Sequence, residues 1–420
     1  MEKYVVRGGT ALSGTVSIGG MKNAALPILY ACVLVDGVCT IENIPNVRDV
    51  TMSLDILRDM GAVINQTDRF TYEIDCRGLR QGTSKKELVQ KLRASYYLLG
   101  AELGRFGVAH VSLPGGCNFG GARPIDQHIK GFRSLGAEVV TDGETVDVSA
   151  PSGVVGDEVF FDTVTVGGTI NIILASVLAK GNTLIENAAR EPHIVDLANF
   201  LNSCGARISG AGTDVIKIRG VSSLHGSNYA IIPDMIEAGT YMIAAAATGG
   251  CVKVENVIPK HLEAISAKLE DVGVIVEELD DAVIVTSRGQ VNSTRLKTRP
   301  YPGFPTDMHP QMSVLLTRAH GTSIVVEGVY ENRFKYAAEL AKMGADITVN
   351  GHTAVISEVE ALHGAEVEAV DLRAGVAMVI AGLAAEGTTT ITNIRYIERG
   401  YDDIIGKLRA LGADIEKVDE

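Results

Sequence analysis

No stretch of the 420-residue chain approaches the ~18 consecutive apolar residues of a membrane-spanning helix, so no spanning segment is expected. The opening residues, Met-Glu-Lys-Tyr-Val-Val-Arg, carry charge and no apolar core, so no secretory leader is expected and the chain reads as cytoplasmic. Positive charge is in deficit: 38 Lys and Arg stand against 51 Asp and Glu, a net −13. That balance offers nothing global to nucleic acid or to an anionic membrane, and neither is expected as a partner. An anionic small ligand would need a local cluster of Arg and Lys. Tryptophan is absent and aromatics make up 5%. The six cysteines (Cys32, Cys39, Cys76, Cys117, Cys204 and Cys251) match no zinc or redox spacing, and the nine histidines are scattered. Neither a metal nor an organic cofactor is expected. Five cysteines sit in apolar or mixed contexts and read as packing residues; Cys117 does not.

What is present is an ordinary globular balance, 46% hydrophobic and 21% charged, with 46 glycines. The length suits two domains. A phrase recurs six times: an amphipathic stretch, then apolar-Gly-small, then an alternating apolar strand. Its glycines are Gly61, Gly136, Gly205, Gly273, Gly344 and Gly412, separated by 75, 69, 68, 71 and 68 residues. Each reads as a left-handed residue that ends a helix before a strand. A second phrase ends in Asn43, Asn187, Asn256 and Asn393, each after a small-residue helix and a Gly-rich turn. One such unit cannot bury both faces of its sheet, so six units in two groups of three predict two related α/β domains.

Four motifs carry chemistry. Gly19-Gly20-Met21-Lys22-Asn23 leads into a helix whose first turn holds a Lys, which suits a phosphate or carboxylate, or is a plain turn with a solvated Lys. Leu113-Pro-Gly-Gly-Cys117 opens a glycine-dense loop that runs to Arg123, whose charge would favour a thiolate; the alternative is a structural loop with an incidental Cys. Pro302-Gly-Phe-Pro-Thr-Asp307 holds one carboxylate between fixed backbone segments, as a general base requires or as a helix N-cap does. Arg93, Arg333, Arg373 and Arg399 lie near strand–helix junctions of different repeats, and as a set with Lys22 and Arg123 they outline an anion site. Singly, each could be a surface ion pair.

With these residues assembled, the chain resembles the UDP-N-acetylglucosamine enolpyruvyl transferase family over nearly its whole length. The matching motifs are Lys22-Asn23-Ala-Ala-Leu-Pro, the Cys117 loop, Glu186-Asn-Ala-Ala-Arg-Glu191-Pro, Phe-Pro-Thr-Asp307-Met, Glu-Asn-Arg333-Phe and Asp371-Leu-Arg373-Ala. The resemblance implies an α/β fold of two inverted, barrel-like domains of three pseudo-repeats. One domain would be 22–232 and the other 1–21 with 233–420, with the active site in the cleft between them. It also implies transfer of the enolpyruvyl group of phosphoenolpyruvate to the sugar 3′-hydroxyl, the first committed step of peptidoglycan synthesis. Lys22, Arg123 and Arg399 would hold phosphoenolpyruvate, with Arg93 and Arg373 nearby. Cys117 matches the loop cysteine alkylated by fosfomycin, and Asp307 the carboxylate that takes the hydroxyl proton. Asn23, Pro124, Ile125, Asp126, Val164, Thr165, Gly167 and Val329 would contact the sugar nucleotide. Arg333 belongs to the same set, and Glu191, Asp234 and Asp371 stand second to these. The chain departs from the family pattern at Met235, where Arg is usual, at Thr163 and Thr165, and by one extra residue between Cys117 and Arg123. The rival readings are the sister shikimate-pathway transferase, a non-catalytic sugar-nucleotide-binding regulator and an RNA-end-processing enzyme.

Overall fold

Each of the six recurring glycines takes a left-handed backbone, with φ from 80° to 107°, and turns an outer helix into the strand that follows. A computed structural model describes residues 2–81, 92–112, 125–142 and 144–419, and the backbone but not the side chain of Arg93. The chain divides into two compact units: one holds Met1–Gly19 and Pro233–Glu420, the other Gly20–Gly116 and Ala122–Ile232.

The repeat is one sheet pattern used again and again. In the repeat around Asn187, Asn182–Glu186 pairs in parallel with Glu158–Phe160 and antiparallel with Val215–Arg219, which pairs antiparallel with Arg207–Ser209. Four other four-stranded sheets share this order, and the sheet of Val108–Ser112 has three of the four strands among the described residues. A further pair, Val291–Asn292 with Ala319–His320, stands apart. Each unit thus has three repeat sheets, as the repeat count predicts. The sheets stay separate, so among the described residues no barrel closes.

Two kinds of helix accompany the sheets. The outer ones are amphipathic: Pro259–Asp271 buries Leu262, Ile265, Ser266 and Leu269, the one-face spacing of a surface helix. The inner ones are apolar on all sides and are buried all round: Met235–Thr248 buries every residue from Met235 to Ala247, and Leu372–Ala384 every residue from Leu372 to Leu383. These two pack against each other and against His309–Leu316 to form the core of their unit. In the other unit Lys22–Ala31, Tyr97–Phe106 and Val166–Ser176 take the same place.

The cysteine expectation needs one correction. Cys32, Cys39, Cys76 and Cys204 are buried, but Cys251 is exposed, its thiol 3.3 Å from the Thr286 hydroxyl. It opens the strand Cys251–Glu255 with its side chain on the outer face, so an apolar neighbourhood in sequence does not translate into burial there. Cys117 lies outside the described residues.

Candidate functional site

Lys22, Thr165, Asp234, Asp307, Asp371 and Arg373 lie at the N-terminal ends of inner helices, where unpaired backbone N–H groups and the helix dipole favour negative charge. Unit by unit, these ends are built differently.

In the unit containing Asp307, three acidic residues mark the three helix starts. Asp234 and Asp371 are N-caps: Asp234 accepts from the N–H groups of Ile236 (2.8 Å) and Glu237 (3.3 Å), and Asp371 from those of Arg373 and Ala374, both at 2.8 Å. Asp307 is the N-cap residue of neither the turn it lies in nor the helix His309–Leu316 that follows. It lies in the short turn Thr306–Met308, and its two oxygens accept from Arg333 Nη2 at 2.7 Å and Arg373 Nε at 3.1 Å. The two guanidinium side chains are 2% and 3% exposed, while the carboxylate is 27% exposed, so a buried cationic cradle presents one carboxylate toward solvent. Burial works against the charge on both arginines. For Arg333 the nearby Asp307 and Asp371 outweigh it, and for Arg373 the Tyr401 side chain and Asp307 do so. The Arg373 guanidinium also lies 5.4 Å from the centre of the Tyr401 ring, and its Nη1 is buried without a hydrogen-bond partner among the described residues.

Sequence reasoning missed what holds this turn. Glu327, 2% exposed, accepts from the Thr306 hydroxyl at 2.8 Å and from the N–H groups of Val329 and Tyr330 at 2.7 and 2.9 Å. It thereby ties the Asp307 turn to the loop that carries Val329, itself exposed. His309 follows the turn; burial, and then Arg333, push its imidazole well below the ordinary value, so it stays neutral beside the Tyr336 hydroxyl at 3.0 Å. A Glu twenty residues beyond the motif has no local signature that would have singled it out. Arg399 ends the turn Ile394–Arg399, partly buried.

In the other unit, Lys22 opens the helix Lys22–Ala31, and its ammonium lies 3.3 Å from Asp49 Oδ2 with both side chains buried. The solvated-lysine reading of this motif is therefore set aside. Gly20 is obligatory: an added Cβ would stand 1.7 Å from the Asn43 carbonyl oxygen. Asn23 is partly exposed beside it. Thr165 caps the helix Val166–Ser176, its hydroxyl accepting from the Gly168 N–H at 3.2 Å, and a Cβ on Gly167 would reach within 2.8 Å of His128 Nε2. Val164 is exposed before this cap. Ile125 and Asp126 begin the helix Asp126–Ser134, where Asp126 accepts from Gln127 at 2.8 Å. Glu191 precedes Pro192 at the start of an outer helix rather than an inner one. The backbone of Arg93 begins the turn Arg93–Tyr96 that enters the inner helix Tyr97–Phe106. Arg123 and Pro124 lie, with Cys117, outside the described residues. Among the described residues no group of three His, Cys, Asp or Glu is placed to hold a metal ion, and no helix is long and apolar enough to cross a membrane.

The fold is shared over its whole length with solved structures. The enolpyruvyl transferase NikO from Streptomyces tendae is 25% identical, with 99% of each chain covered and a TM-score of 0.89. An EPSP synthase from Acinetobacter baumannii, at 19% identity, shares the fold with a TM-score of 0.75 over 100% of each chain. The fold is thus that of the enolpyruvyl transferases. Within it, a family model described as EPSP synthase (3-phosphoshikimate 1-carboxyvinyltransferase) matches residues 6–408. The UDP-N-acetylglucosamine 1-carboxyvinyltransferase of Clostridium botulinum is 54% identical over 419 residues, and a protein of the same name (number 3) from Caldanaerobacter subterraneus is 52% identical over 420, each with 100% of both chains covered. The chain belongs to the enolpyruvyl transferase family, on the branch whose members are named UDP-N-acetylglucosamine 1-carboxyvinyltransferase.

Proposed function

We propose that the protein transfers the enolpyruvyl group of phosphoenolpyruvate to the 3′-hydroxyl of UDP-N-acetylglucosamine and releases phosphate, in the cytoplasm, as the first committed step of peptidoglycan synthesis. The observation that carries this reading is the pairing of full-length relatives of that name with a carboxylate cradled by two buried arginines. Asp307 takes the proton of the 3′-hydroxyl as the oxygen attacks C2 of phosphoenolpyruvate, and a proton is added at C3 from Cys117 or Lys22. Loss of a C3 proton then expels phosphate and leaves the enolpyruvyl ether. Lys22, Arg123 and Arg399, with Arg93 and Arg373, hold the phosphate and carboxylate as charge redistributes. Asn23, Pro124, Ile125, Asp126, Val164, Thr165, Gly167, Val329, Arg333 and Asp371 position the sugar nucleotide. The reaction as written needs no cofactor.

The test is phosphate release from phosphoenolpyruvate with UDP-N-acetylglucosamine or with shikimate 3-phosphate, before and after fosfomycin. Release with the sugar nucleotide alone, lost on alkylation and spared in Cys117→Asp, is the expected result. Release only with shikimate 3-phosphate would move the protein to the sister activity, and binding of the sugar nucleotide without release would make it a regulator.

A further inference from the structure

The repeated sheets act as internal controls for one another, and one of them is out of balance. On the outer face of the sheet built on Asn182–Glu186, Arg207 stands directly opposite Arg219 across an antiparallel pair, and Ser209 opposite Lys217. The register of the five equivalent antiparallel pairs puts at the Arg207–Arg219 position Val63–Asp75, Glu138–Ser149, Ile275–Thr286, Asp346–Ser357 and Asp414–Arg7. In the last of these an arginine occupies the place of Arg219 and is met by Asp414 and Glu416, each at 2.9 Å. In the sheet of Asn182 those two carboxylates are replaced by Arg207 and Ser209. Like charges directly opposed across strands destabilise a sheet. None of Arg207, Lys217 and Arg219 has a carboxylate within ion-pair distance among the described residues. Glu158 is on the same face but two strands from Lys217, beyond Leu184, about 10 Å away.

This face is concave. A cavity of about 870 Å³ lies over it, lined by Arg207, Lys217 and Arg219 with Asn182 and, toward the opposite edge of the sheet, the carboxylates of Asp157 and Glu158. That volume falls in the range of small-molecule sites, roughly 300–1,000 Å³. None of its lining residues is among those assigned above to the transfer reaction. The strand positions of the three cations are about 5–8 Å apart along and across the strands, a spread that suits two linked acidic groups better than one. Arginine forks bind phosphoryl oxygens in pairs. The −13 charge of the whole chain opposes a long polyanion but costs little for a small one met at close range.

We infer that this outer face is a second ligand site, which takes a small molecule carrying a diphosphate group. The anion supplies the negative charge that Asp414 and Glu416 supply at the equivalent place in the last repeat. The inference goes beyond the transfer reaction and does not depend on it.

Calorimetric titration of the full chain with inorganic pyrophosphate, and with ADP, tests it. One binding event per chain is expected, weakening with added salt and retained in Lys22→Gln. It should weaken at least about tenfold in Arg219→Ser, as loss of one charge-assisted contact does. Arg207→Asp should abolish it and raise the thermal midpoint of the free protein, because that change builds the ion pair that the last repeat already contains. ADP binding more tightly than pyrophosphate would identify the ligand as a nucleotide, and equal binding as free diphosphate; both support the site. Binding that survives Arg207→Asp, binding that disappears in Lys22→Gln, or no heat with either probe at millimolar concentration would overturn it. Binding of an acidic peptide in place of both probes would overturn it too, making the face a protein-docking surface.

Discussion

Asp307 has two separable jobs, and substitution can part them. As the counter-charge of Arg333 and Arg373 it holds two buried cations in place; as a partly exposed carboxylate it is the proposed base. Asp307→Ala should cost about 2–3 kcal/mol of stability, the lower end for breaking a buried pair because this partner is not fully buried. Asp307→Asn keeps an acceptor for one arginine and should cost less. Both should lower turnover by about 10²–10⁴. If activity instead tracks stability across the two variants, read by denaturant midpoint and by phosphate release, the residue is a scaffold and not a base. A second buried carboxylate carries a pH signature. Asp196 is 2% exposed and accepts from the Tyr229 hydroxyl at 2.6 Å, and burial raises its carboxyl to about 6. The folded protein therefore holds this proton where the unfolded chain has released it. Stability from this group is present below about pH 4 and is lost as pH rises to about 6, on the order of 3 kcal/mol in all. Asp196→Asn should be stabilising relative to the parent at pH 7.5 and less so at pH 5, as thermal midpoints at the two values would show.

At the scale of the element, the recurring asparagines have a conformational reason. Asn43, Asn187, Asn256 and Asn393 all have φ between 55° and 58°, a left-handed backbone that Asn tolerates better than most residues. Three of them also donate to a backbone carbonyl across the sheet, Asn187 to Phe161 at 2.9 Å. Asn187→Ala should cost about 1–2 kcal/mol and Asn187→Gly less, a difference measurable by urea denaturation. The phrase was legible in sequence because the same strain recurs at the same place, and so were the glycines that end the outer helices. The parallel edge strands were not: Glu158–Phe160, Asn228–Ala230 and Glu366–Glu368 have three residues each, too few to show an alternation. The site divides in the same way. Asp307, Lys22 and the arginines stand in local motifs. The burial of Lys22 against Asp49, 27 residues on, and the hold of Glu327 on Thr306 are made by folding alone.

At the scale of the whole molecule, the consequential fact is that one unit is discontinuous in sequence. Lys3–Arg7 is not an edge strand: it lies between Thr388–Thr392 and Asp414–Val418, antiparallel to both, with Val6 fully buried and Tyr4 2% exposed. Ser13–Ser17 pairs in parallel along Cys251–Glu255. Removing residues 1–19 therefore takes the centre from one sheet and a flank from another in the same unit. It also exposes three rows of backbone N–H and C=O groups that had partners, on Thr388–Thr392, Asp414–Val418 and Cys251–Glu255, each costly to leave unmet in a partly buried place. The unit built from Gly20–Gly116 and Ala122–Ile232 loses no strand by this deletion. Hydrogen exchange on the truncated chain should thus show lost protection in the inner helices Met235–Thr248, His309–Leu316 and Leu372–Ala384. Protection should persist in Lys22–Ala31 and Val166–Ser176. Equal loss in both sets would mean that the two units fold as one cooperative block, and equal retention would mean that the first two strands are dispensable. The expected split would establish that the core carrying Asp307 and its arginines depends on strands from the far end of the chain.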